Sequence, residues 1–380
     1  MSSAESVEDT SASSTFLVHE PLLVAERSTD LAHLLEFGRH REGDLEWIAR
    51  PAAVVDDPEK GRSIRFDLLD PRAVAQPSSV KVWLQAIRAI SLTATLTPSI
   101  AVLLYGILRG WAISVPLAVA SIVGVLVLQI GVNLMNDVED HRRLIDLPGT
   151  LGGAGVIQQG WLSARKVRIA AWVAFASGIV LGVPALLRSP SIMLIVGVLA
   201  VVGGVGYSWS PVGLKYKALG DLAVLLLCGP ALTIGFALAA FGTFDVGVVL
   251  VGGTFGLAAV GILHCNNLQD IAVDRSRGAA TVATLLGEGV SRVYLVALYV
   301  LAFSSWGLAW ALAMPRLPLP ALLVPAIALL PTANLLRSIL TAKSMQDPKL
   351  ALVRVTAAQT HLAIGALLCI GLGISLAIHH

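Results

Sequence analysis

Residues 117–146 read "LAVASIVGVLVLQIGV" followed by "NLMNDVEDHRRLID", an apolar run that ends in a cluster of acids and amides. The first part carries no charge, which predicts a helix in hydrocarbon. The second part contains two asparagines, three aspartates and one glutamate within fourteen residues. Ionisable groups at membrane depth are costly in free energy and usually functional. This junction therefore predicts a membrane fold with a site at the membrane edge.

The composition of the whole chain also indicates a membrane protein. Of its 380 residues, 56% are hydrophobic and 14% are charged, and the mean hydropathy is +0.77. Soluble domains usually contain about 25% charged residues. The three cysteines lie in or beside apolar runs without metal-ligand spacing, so no disulfide framework is predicted. No nucleic-acid partner is predicted either.

Nine apolar segments are long enough to cross a bilayer, which takes about 20 residues in a helix. They cover approximately residues 84–108, 112–136, 168–187, 191–208, 219–241, 246–268, 292–313, 318–338 and 353–377. Because lipid offers no hydrogen-bond partner to the backbone, each segment must be helical. We therefore expect an all-α integral membrane domain of about nine transmembrane helices in residues 82–380.

Residues 1–81 differ from the rest of the chain. Fifteen of the 25 acidic residues lie in this part, between short apolar patches that are too short to span a membrane. The first fifteen residues are polar and acidic, unlike a secretory signal. We expect a polar, partly disordered cytoplasmic extension of unknown role.

Lysine and arginine are distributed unequally between the loops on the two sides of the predicted helices. One set of loops contains fourteen of them and the opposite set contains three. Loops rich in lysine and arginine remain in the cytoplasm. The N-terminus and both acidic clusters are therefore predicted to face the cytoplasm, in what would be the inner membrane of a bacterium.

A second polar cluster matches the first. Six of the ten acids after residue 82 lie in these two clusters. Helical periodicity places four residues of the second span on one stripe, Asn133, Asn136, Asp137 and Asp140. The stretch "HCNNLQDIAVDRSRG" at residues 264–278 places Asn267, Asp270 and Asp274 on one face at the end of the sixth span, with Asn266 beside them. Both stripes lie at the same membrane edge, so we expect one shared site.

Facing carboxylates repel one another unless a cation neutralises them. Carboxylate and amide oxygens suit Mg²⁺, which commonly binds one or two carboxylates together with the phosphate oxygens of a substrate. The alternating-oxygen loop with a central glycine that is typical of Ca²⁺ sites is missing from both stretches. The two stripes therefore predict a Mg²⁺-diphosphate site, and a prenyl tail on the diphosphate would lie along apolar helices.

Four stretches in the right order carry a family resemblance. They are the two acidic clusters, "IRAISLTATLTPS" at residues 87–99 and "YSWSPVGLKYKALGD" at residues 207–221, and the loop "GGAGVIQQGWLSARKV" at residues 152–167 is similar in style. Together they resemble the UbiA-type intramembrane prenyltransferases, most of all those that act on 1,4-dihydroxy-2-naphthoate in menaquinone biosynthesis. The resemblance implies a central cavity that opens to the cytoplasmic edge.

The resemblance also implies roles for individual residues. The metal ligands would be Asn136, Asp137, Asp140, Asp146, Asp270 and Asp274. The diphosphate would be bound by Asn133, Asn266, Asn267, Lys215 and Arg275. Catalytic contacts would come from Lys215, Arg88 and Tyr207, although a tyrosine at this depth is equally typical of an interfacial anchor.

Three positions depart from the family pattern. Ala89 follows Arg88 where the family has proline, Gln269 stands where arginine is common, and "GAAT" at residues 278–281 lacks the basic residue that usually follows the glycine. These changes remove positive charge or rigidity near the expected pocket. Arg275 and the nearby Arg277 are the candidates to compensate.

The implied reaction is Mg²⁺-dependent transfer of a prenyl group from a prenyl diphosphate to an aromatic acceptor, through ionisation to an allylic carbocation. The resemblance favours 1,4-dihydroxy-2-naphthoate, and homogentisate, hydroxybenzoate and quinolone acceptors are the alternatives. A cation-binding or transport protein is the non-enzymatic alternative. Transporters usually place charges near the bilayer midplane on broken helices, whereas these charges lie at one edge, next to membrane lipid.

Overall fold

The computed structural model describes residues 20–147, 153–313, 319–344 and 347–379. Among these residues, nine segments are helical, long and apolar enough to cross a membrane: Ala89–Leu108, Val115–Arg142, Ala164–Arg188, Pro190–Ser208, Gly220–Phe241, Val246–Gln269, Val282–Leu312, Leu319–Thr341 and Val353–Ile378. The predicted nine-helix membrane fold is therefore confirmed. The disorder predicted for the first fifteen residues falls outside the described part of the chain.

The helices of the membrane domain follow the apolar runs closely. They are α2 (Ser79–Ala86), α3 (Thr93–Leu108), α4 (Val115–Arg142), α5 (Ala164–Arg188), α6 (Pro190–Ser208), α7 (Gly220–Leu227), α8 (Pro230–Phe241), α9 (Val246–Gln269), α10 (Ile271–Ser276), α11 (Val282–Ala313), α12 (Leu319–Ala326), α13 (Leu329–Thr341) and α14 (Val353–His379), and they follow α1 of the N-terminal region described below. The fifth and eighth spans each consist of two consecutive helices.

The second span extends further than its hydropathy predicts. Helix α4 continues through the polar cluster to Arg142, six residues beyond the predicted end of the span at residue 136. His141 and Arg142 lie in its last turn, where positive charge favours the helix dipole. The four residues predicted to share one stripe, Asn133, Asn136, Asp137 and Asp140, therefore lie in one continuous helix, and their side chains are buried.

The first span begins later than predicted. A break separates α2 from the spanning part, and Arg88 at this break adopts a left-handed backbone conformation with φ of 53°. A short 3₁₀ helix at Ala89–Leu92 then leads into α3. Left-handed conformations are costly for residues other than glycine and persist where the surroundings impose them. Here the break directs the Arg88 side chain to Asp137 on α4, with which it forms an ion pair.

The two ends of the membrane bundle differ. At one end lie both acidic clusters, and this end is called the motif end below. At the other end, Asp245 caps α9 by accepting hydrogen bonds from the backbone of Gly247 and Val248. The Tyr105 hydroxyl donates to the same carboxylate at 2.8 Å, and Arg109 forms an ion pair with it at 3.2 Å. This acid therefore has a structural role far from the motifs.

Residues 20–69 form a folded unit at the motif end, called the N-terminal domain below. Its helix is α1 (Thr29–Phe37), and its strands are β1 (Leu22–Ala25), β2 (Arg39–Glu42), β3 (Leu45–Asp57) and β4 (Gly61–Leu69). The strands form one antiparallel sheet in the order β1-β4-β3-β2. No helix or strand was predicted for these residues, which were expected to be part of a polar, partly disordered extension.

Alternation along β4 explains the core of the N-terminal domain. Ile64, Phe66 and Leu68 point to one face and are buried, whereas Arg65 between them is exposed. Helix α1 covers this face with Leu31, Leu34 and Leu35. The glycine that follows α1, Gly38, has φ of 63° and closes the helix with a hydrogen bond to Leu34 O.

Candidate functional site

A cavity of about 1300 Å³ lies within the membrane bundle and reaches the motif end. Most of its wall is apolar and comes from spans one to six and nine. Its polar wall brings together residues of both acidic clusters and of the loop between spans four and five: Arg88, Asn133, Asn136, Asp140, Asp146, Tyr207, Lys215, Asn266, Asn267, Asp270, Asp274 and Arg354. The two clusters, some 130 residues apart in the chain, therefore share one site.

Asp140 is the most densely hydrogen-bonded acid of the site. Lys215 Nζ lies 2.6 Å from Asp140 Oδ2, and the Tyr216 hydroxyl donates to Oδ1 at 2.7 Å. Asn136, one turn earlier on α4, donates to Oδ2 at 3.1 Å and accepts from Lys215 Nζ at 2.9 Å. Burial, and then the Asp140 carboxylate, raise the pKa of the Tyr216 phenol well above its ordinary value. Tyr216 is therefore a permanent donor to Asp140.

Asp137 lies behind the site rather than on its wall. It is 2% exposed, forms the ion pair with Arg88 and accepts a hydrogen bond from Ala154 N at 3.2 Å. Asn133 also ties the first span to α4, because its Nδ2 donates to Ile87 O at 3.0 Å and to Ser91 Oγ at 2.8 Å. These two motif residues thus fix the start of the first span, and Arg88 remains at the cavity wall.

Asp146 follows α4 and lies on the loop between α4 and α5, at the cavity wall. Its backbone carbonyl accepts a hydrogen bond from Gln158 at 3.3 Å, and its Oδ2 is buried without a hydrogen-bond partner among the described residues. Burial, and then the Asp140 carboxylate, raise the pKa of Asp146 to about 7. Gly153 packs so closely on this carboxylate that a Cβ there would overlap Asp146 Oδ2. Asp146 is therefore held at the cavity wall, with one carboxylate oxygen that has no hydrogen-bond partner in the described part of the chain.

The second cluster is completed from the ninth span. Arg354 on α14 donates from Nη2 to Asp270 Oδ1 at 2.5 Å and from Nε to Gln269 Oε1 at 2.7 Å. Asp274 follows one turn later, and burial, then the Asp270 carboxylate, raise its pKa to about 7. Asn266 Oδ1 is buried and has no hydrogen-bond partner among the described residues. A guanidinium therefore lies where Gln269 replaces the arginine common in the family pattern.

The Lys215 loop is attached to the segment that follows the second cluster. Ala218 N donates to Ala280 O at 2.6 Å, and Ala280 N donates to Tyr216 O at 3.0 Å, which makes a short parallel bridge. Tyr216 also packs in a small apolar cluster with Ile145 and Ala279. One loop thus contacts the chain beside Asp146 and the chain after Asp274.

Two further predicted residues differ in their placement. Tyr207 lines the cavity and is 9% exposed. Arg275 is exposed, donates to Thr284 O at 2.9 Å and does not contribute to the cavity wall. Neither of the two candidates to compensate for lost charge, Arg275 and Arg277, lines the cavity; Arg354, which was not a candidate, lies at Asp270 instead.

Sequence reasoning missed several residues that contact the predicted ligands. They are Tyr216 and Ser208, which bond to Asp140 and Asn136, and Arg354. From the sequence, Arg354 was assigned to the fourteen lysines and arginines of the cytoplasmic loops. In the structure it is the second residue of α14, the ninth spanning helix. An ionisable residue just inside a span is itself a functional signal, and this rule could have identified it.

The donor set at the cavity fits Mg²⁺. Carboxylate and amide oxygens converge, and two buried oxygens, on Asp146 and Asn266, have no partner among the described residues. In the described part of the chain, no three acidic, histidine or cysteine side chains are close enough to form a complete protein metal centre. Mg²⁺ does not need one, since it usually takes one or two carboxylates and completes its shell with water and substrate phosphate.

Comparison with known proteins supports the family resemblance. The sequence model of the UbiA prenyltransferase family matches residues 95–346. The chain is 31% identical over 228 residues to the 1,4-dihydroxy-2-naphthoate octaprenyltransferase of Haemophilus influenzae, which covers 52% of this chain and 70% of that protein. It is 27% identical over 263 residues to the Escherichia coli protein of the same name, covering 64% and 84%. The resemblance predicted from the motifs is confirmed.

Solved structures share the fold. A UbiA homolog from Archaeoglobus fulgidus bound to GPP and Mg²⁺ superposes with a TM-score of 0.54 at 15% identity, covering 76% of this chain and 99% of that one. At this identity the similarity establishes the architecture of the membrane domain. The bound groups in that structure belong to that protein.

Proposed function

Because the chain belongs to the UbiA prenyltransferase family, we propose that it transfers a prenyl group from a prenyl diphosphate to 1,4-dihydroxy-2-naphthoate, a step of menaquinone biosynthesis. The chain is a prenyltransferase, and membership of this family favours an enzyme over the transport alternative. The naphthoate acceptor is supported by the relatives that carry this activity in their names.

One observation carries the proposal: the cavity has a charged end and an apolar body. Carboxylates, amides, Lys215 and Arg354 line the motif end, and most of the remaining wall is apolar. A prenyl diphosphate has the same division, with a charged head and a hydrocarbon tail. Burying the tail stabilises the complex by about 25 cal/mol per Å² of apolar surface.

We propose that Mg²⁺ is held by Asn136 and Asp140 on one side and by Asp270 and Asp274 on the other, with Asp146 beside them. When bound, Mg²⁺ supplies positive charge to the diphosphate oxygens as the bond to the prenyl carbon breaks. Asp137 is assigned a supporting place, because its carboxylate is already bonded to Arg88 and Ala154.

Cations of the chain itself complete the diphosphate site in this proposal. The Lys215 side chain is 17% exposed, and its ammonium bonds to Asn136 and Asp140 at the cavity wall. It therefore faces the place where the diphosphate would lie. Arg354 takes the corresponding place at Asp270. Charged donors in a site shielded from water stabilise the leaving diphosphate as it gains negative charge.

The bond between the prenyl carbon and the diphosphate oxygen breaks with its electron pair on oxygen, leaving an allylic carbocation. The apolar wall excludes water that would otherwise quench the cation. A ring carbon of the acceptor then attacks it. For 1,4-dihydroxy-2-naphthoate, the carboxylated carbon forms the new bond and loses CO₂.

We propose that the motif end faces the cytoplasm, in the inner membrane of a bacterium. The excess of lysine and arginine in the loops of this end supports the orientation. The folded N-terminal domain lies at the same end and contacts these loops. Both substrates with charged groups would then enter from the cytoplasmic side.

The proposal is tested with purified full-length protein in lipid nanodiscs, Mg²⁺, a panel of prenyl diphosphates and a panel of aromatic acceptors, with products identified by mass spectrometry. We expect decarboxylated prenyl naphthoquinol. A product from homogentisate, hydroxybenzoate or a quinolone, with none from the naphthoate, would reject this acceptor. Asp140→Ala and Asp270→Ala should each abolish Mg²⁺-dependent transfer in folded protein, and wild-type turnover in either variant would reject the site.

A further inference from the structure

The N-terminal domain is docked on the loop that carries Asp146. The match to the family sequence model begins at residue 95, so this domain lies outside the matched part of the chain. Leu144 is 6% exposed and belongs to the hydrophobic core of the domain, together with Leu31, Phe66 and Ile64. The core of a separate folded unit therefore contains a residue of the first acidic cluster.

Two apolar contacts bracket Asp146. Leu144 lies two residues before it and Leu147 one residue after it, and both pack against the core of the N-terminal domain. Between them, the Asp146 side chain turns to the cavity. The loop is thus attached to the domain on both flanks of the acid.

The backbone at this contact is strained. Leu144 adopts a left-handed conformation with φ of 58°, which is rare for a branched side chain. Such a residue persists only where its surroundings impose the conformation, and it often marks a functional site. Here the conformation is imposed by the Leu144 side chain, which inserts into the core of the N-terminal domain. The chain turns at Leu144 directly after α4, and Asp146 then lies at the cavity wall.

Polar contacts fix the same interface. His141 is 2% exposed, and its Nε2 lies 3.1 Å from Leu35 O at the end of α1. Glu36, the next residue of α1, forms a two-fold ion pair with Arg168 at the start of the third span. The ring of Phe37 lies under the Arg165 guanidinium at 5.3 Å. Helix α1 thus joins the end of the second span to the start of the third.

The far side of the loop is held as well. The Ile48 side chain packs on Gly160, which has φ of 71° and no room for a Cβ. Gln158 in the same segment donates to Asp146 O. Movement of the N-terminal domain would therefore displace the loop on which Asp146 lies from both directions.

We propose that the N-terminal domain is a positioning element of the active site: Leu144 and the Glu36–Arg168 pair hold the Asp146 loop in the geometry that accepts the metal-bound diphosphate. The proposal rests on the proposed function, in which the first acidic cluster binds Mg²⁺. Leu144 touches no substrate and acts through Asp146. Loosening the interface weakens binding of Mg²⁺ and diphosphate and leaves the remaining chemistry in place.

The test measures binding of Mg²⁺ and inorganic pyrophosphate to the full-length protein by calorimetry, beside prenyl transfer as a function of Mg²⁺ concentration. Leu144→Ala should raise the Mg²⁺ concentration for half-maximal pyrophosphate binding about tenfold, which equals about 1.4 kcal/mol. At saturating Mg²⁺ its turnover should approach the wild-type value. Leu144→Met keeps the apolar contact and should bind like the wild type.

Leu45→Ala is the matched control, because Leu45 lies in the same domain and is 56% exposed. It should leave the Mg²⁺ dependence unchanged. A merely structural role for Leu144 would lower the yield of folded protein, or turnover at all Mg²⁺ concentrations, without moving the half-maximal concentration. That result would overturn the proposal.

A charge exchange tests the interface without truncating the core. Glu36→Arg and Arg168→Glu should each raise the half-maximal Mg²⁺ concentration by repulsion, and the double variant should restore it. Equal Mg²⁺ dependence in both single variants and the wild type would reject the positioning role. Absence of Mg²⁺-dependent transfer in the wild type would instead reject the proposed function, so the two failures are distinguishable.

Discussion

Lys215 Nζ lies 2.6 Å from Asp140 Oδ2 and 2.9 Å from Asn136 Oδ1. One ammonium, on the loop between the fourth and fifth spans, therefore bonds to two residues of the acidic stripe on the second span. In the absence of metal this cation partly neutralises the carboxylates. In the proposed site, it is the group of the loop best placed to bind the diphosphate. Its contribution can be measured directly.

Lys215→Met is expected to lower kcat for prenyl transfer about 100-fold or more, since loss of one charged donor at a developing anion typically costs about two to three orders of magnitude. The matched control is Lys217→Met, because Lys217 is exposed and its ammonium donates only to Pro211 O among the hydrogen bonds of the described residues. Turnover is compared per folded protein after size-exclusion chromatography. Equal losses in the two variants would contradict a specific role for Lys215.

Arg354→Gln is expected to weaken binding of Mg²⁺ and pyrophosphate about tenfold or more, because hydrogen bonds to charged groups contribute about 1.5–3 kcal/mol each. The guanidinium bonds to Asp270 and Gln269 and lines the cavity. Arg337→Gln on the exposed face of the eighth span is the control. Calorimetry that shows equal affinities for the two variants would exclude Arg354 from the diphosphate site.

Mg²⁺ binding is expected to strengthen as the pH rises from 6 to 8. Burial and neighbouring carboxylates raise the pKa of Asp146 and of Asp274 to about 7. Both carboxyls are therefore largely neutral at pH 6 and charged at pH 8, and Mg²⁺ binds the charged form. Each proton released allows at most a tenfold gain in affinity per pH unit. Calorimetry with pyrophosphate at several pH values measures the slope, and a flat profile would contradict these pKa values.

Without metal, the raised pKa values of Asp146 and Asp274 predict that the stability of the fold decreases as the pH rises, whereas Mg²⁺ binding strengthens. A carboxyl whose pKa is higher in the folded than in the unfolded state binds more protons when folded, so it favours folding at low pH. Its contribution is therefore lost as the pH rises from about 4 to about 7. Asp274→Asn, which is neutral at every pH, should show a smaller fall in thermal stability over this window than the wild type. Thermal unfolding without divalent metal checks this difference.

Gly153→Ala is expected to weaken Mg²⁺ and pyrophosphate binding, because the new Cβ would overlap the Asp146 carboxylate and displace it. Gly153 also has φ of 68°, so any side chain there costs about 1–2 kcal/mol of folding free energy. Gly155→Ala separates the two effects, since Gly155 has φ of 75° and open space around its Cβ position. Binding that falls equally in both variants would show that backbone strain alone is responsible.

The membrane part of the fold could be predicted because its signals are local. Nine apolar runs defined nine spans, and the stripe of amides and acids from Asn133 to Asp140 kept its helical register. The break before the first span was not predictable, because the residues around Arg88 include neither glycine nor proline. At that break, Arg88 forms an ion pair with Asp137, which lies on another helix, and local sequence carries no information about such a contact.

The N-terminal sheet left a local signal that went unused. Along β4, Ile64, Phe66 and Leu68 alternate with Arg65 and Asp67, which is typical of a half-buried strand. The docking of this sheet on the Asp146 loop could not be predicted in the same way. It depends on contacts between distant parts of the chain, and hydropathy and periodicity carry no information about them.

The candidate site shows the same limit. Both acidic stripes were identified from their residue types and spacing, and Lys215 was identified only through the family resemblance. Arg354 and Tyr216 were missed because their significance arises only when the ninth span and the Lys215 loop meet the two stripes. Arg275, chosen for its proximity in sequence, lies away from the cavity.

The parallel bridge between Lys217 and Ala280 has a mechanical consequence. It attaches the loop of Lys215 to the chain that leaves Asp274, while Lys215 Nζ itself bonds to Asp140 on α4. One loop is therefore tied to both acidic clusters and sets how far apart their carboxylates stand. In the proposed site, the charged head of the donor would meet an arrangement of charges that is fixed by this loop and not by the apolar passage beside it.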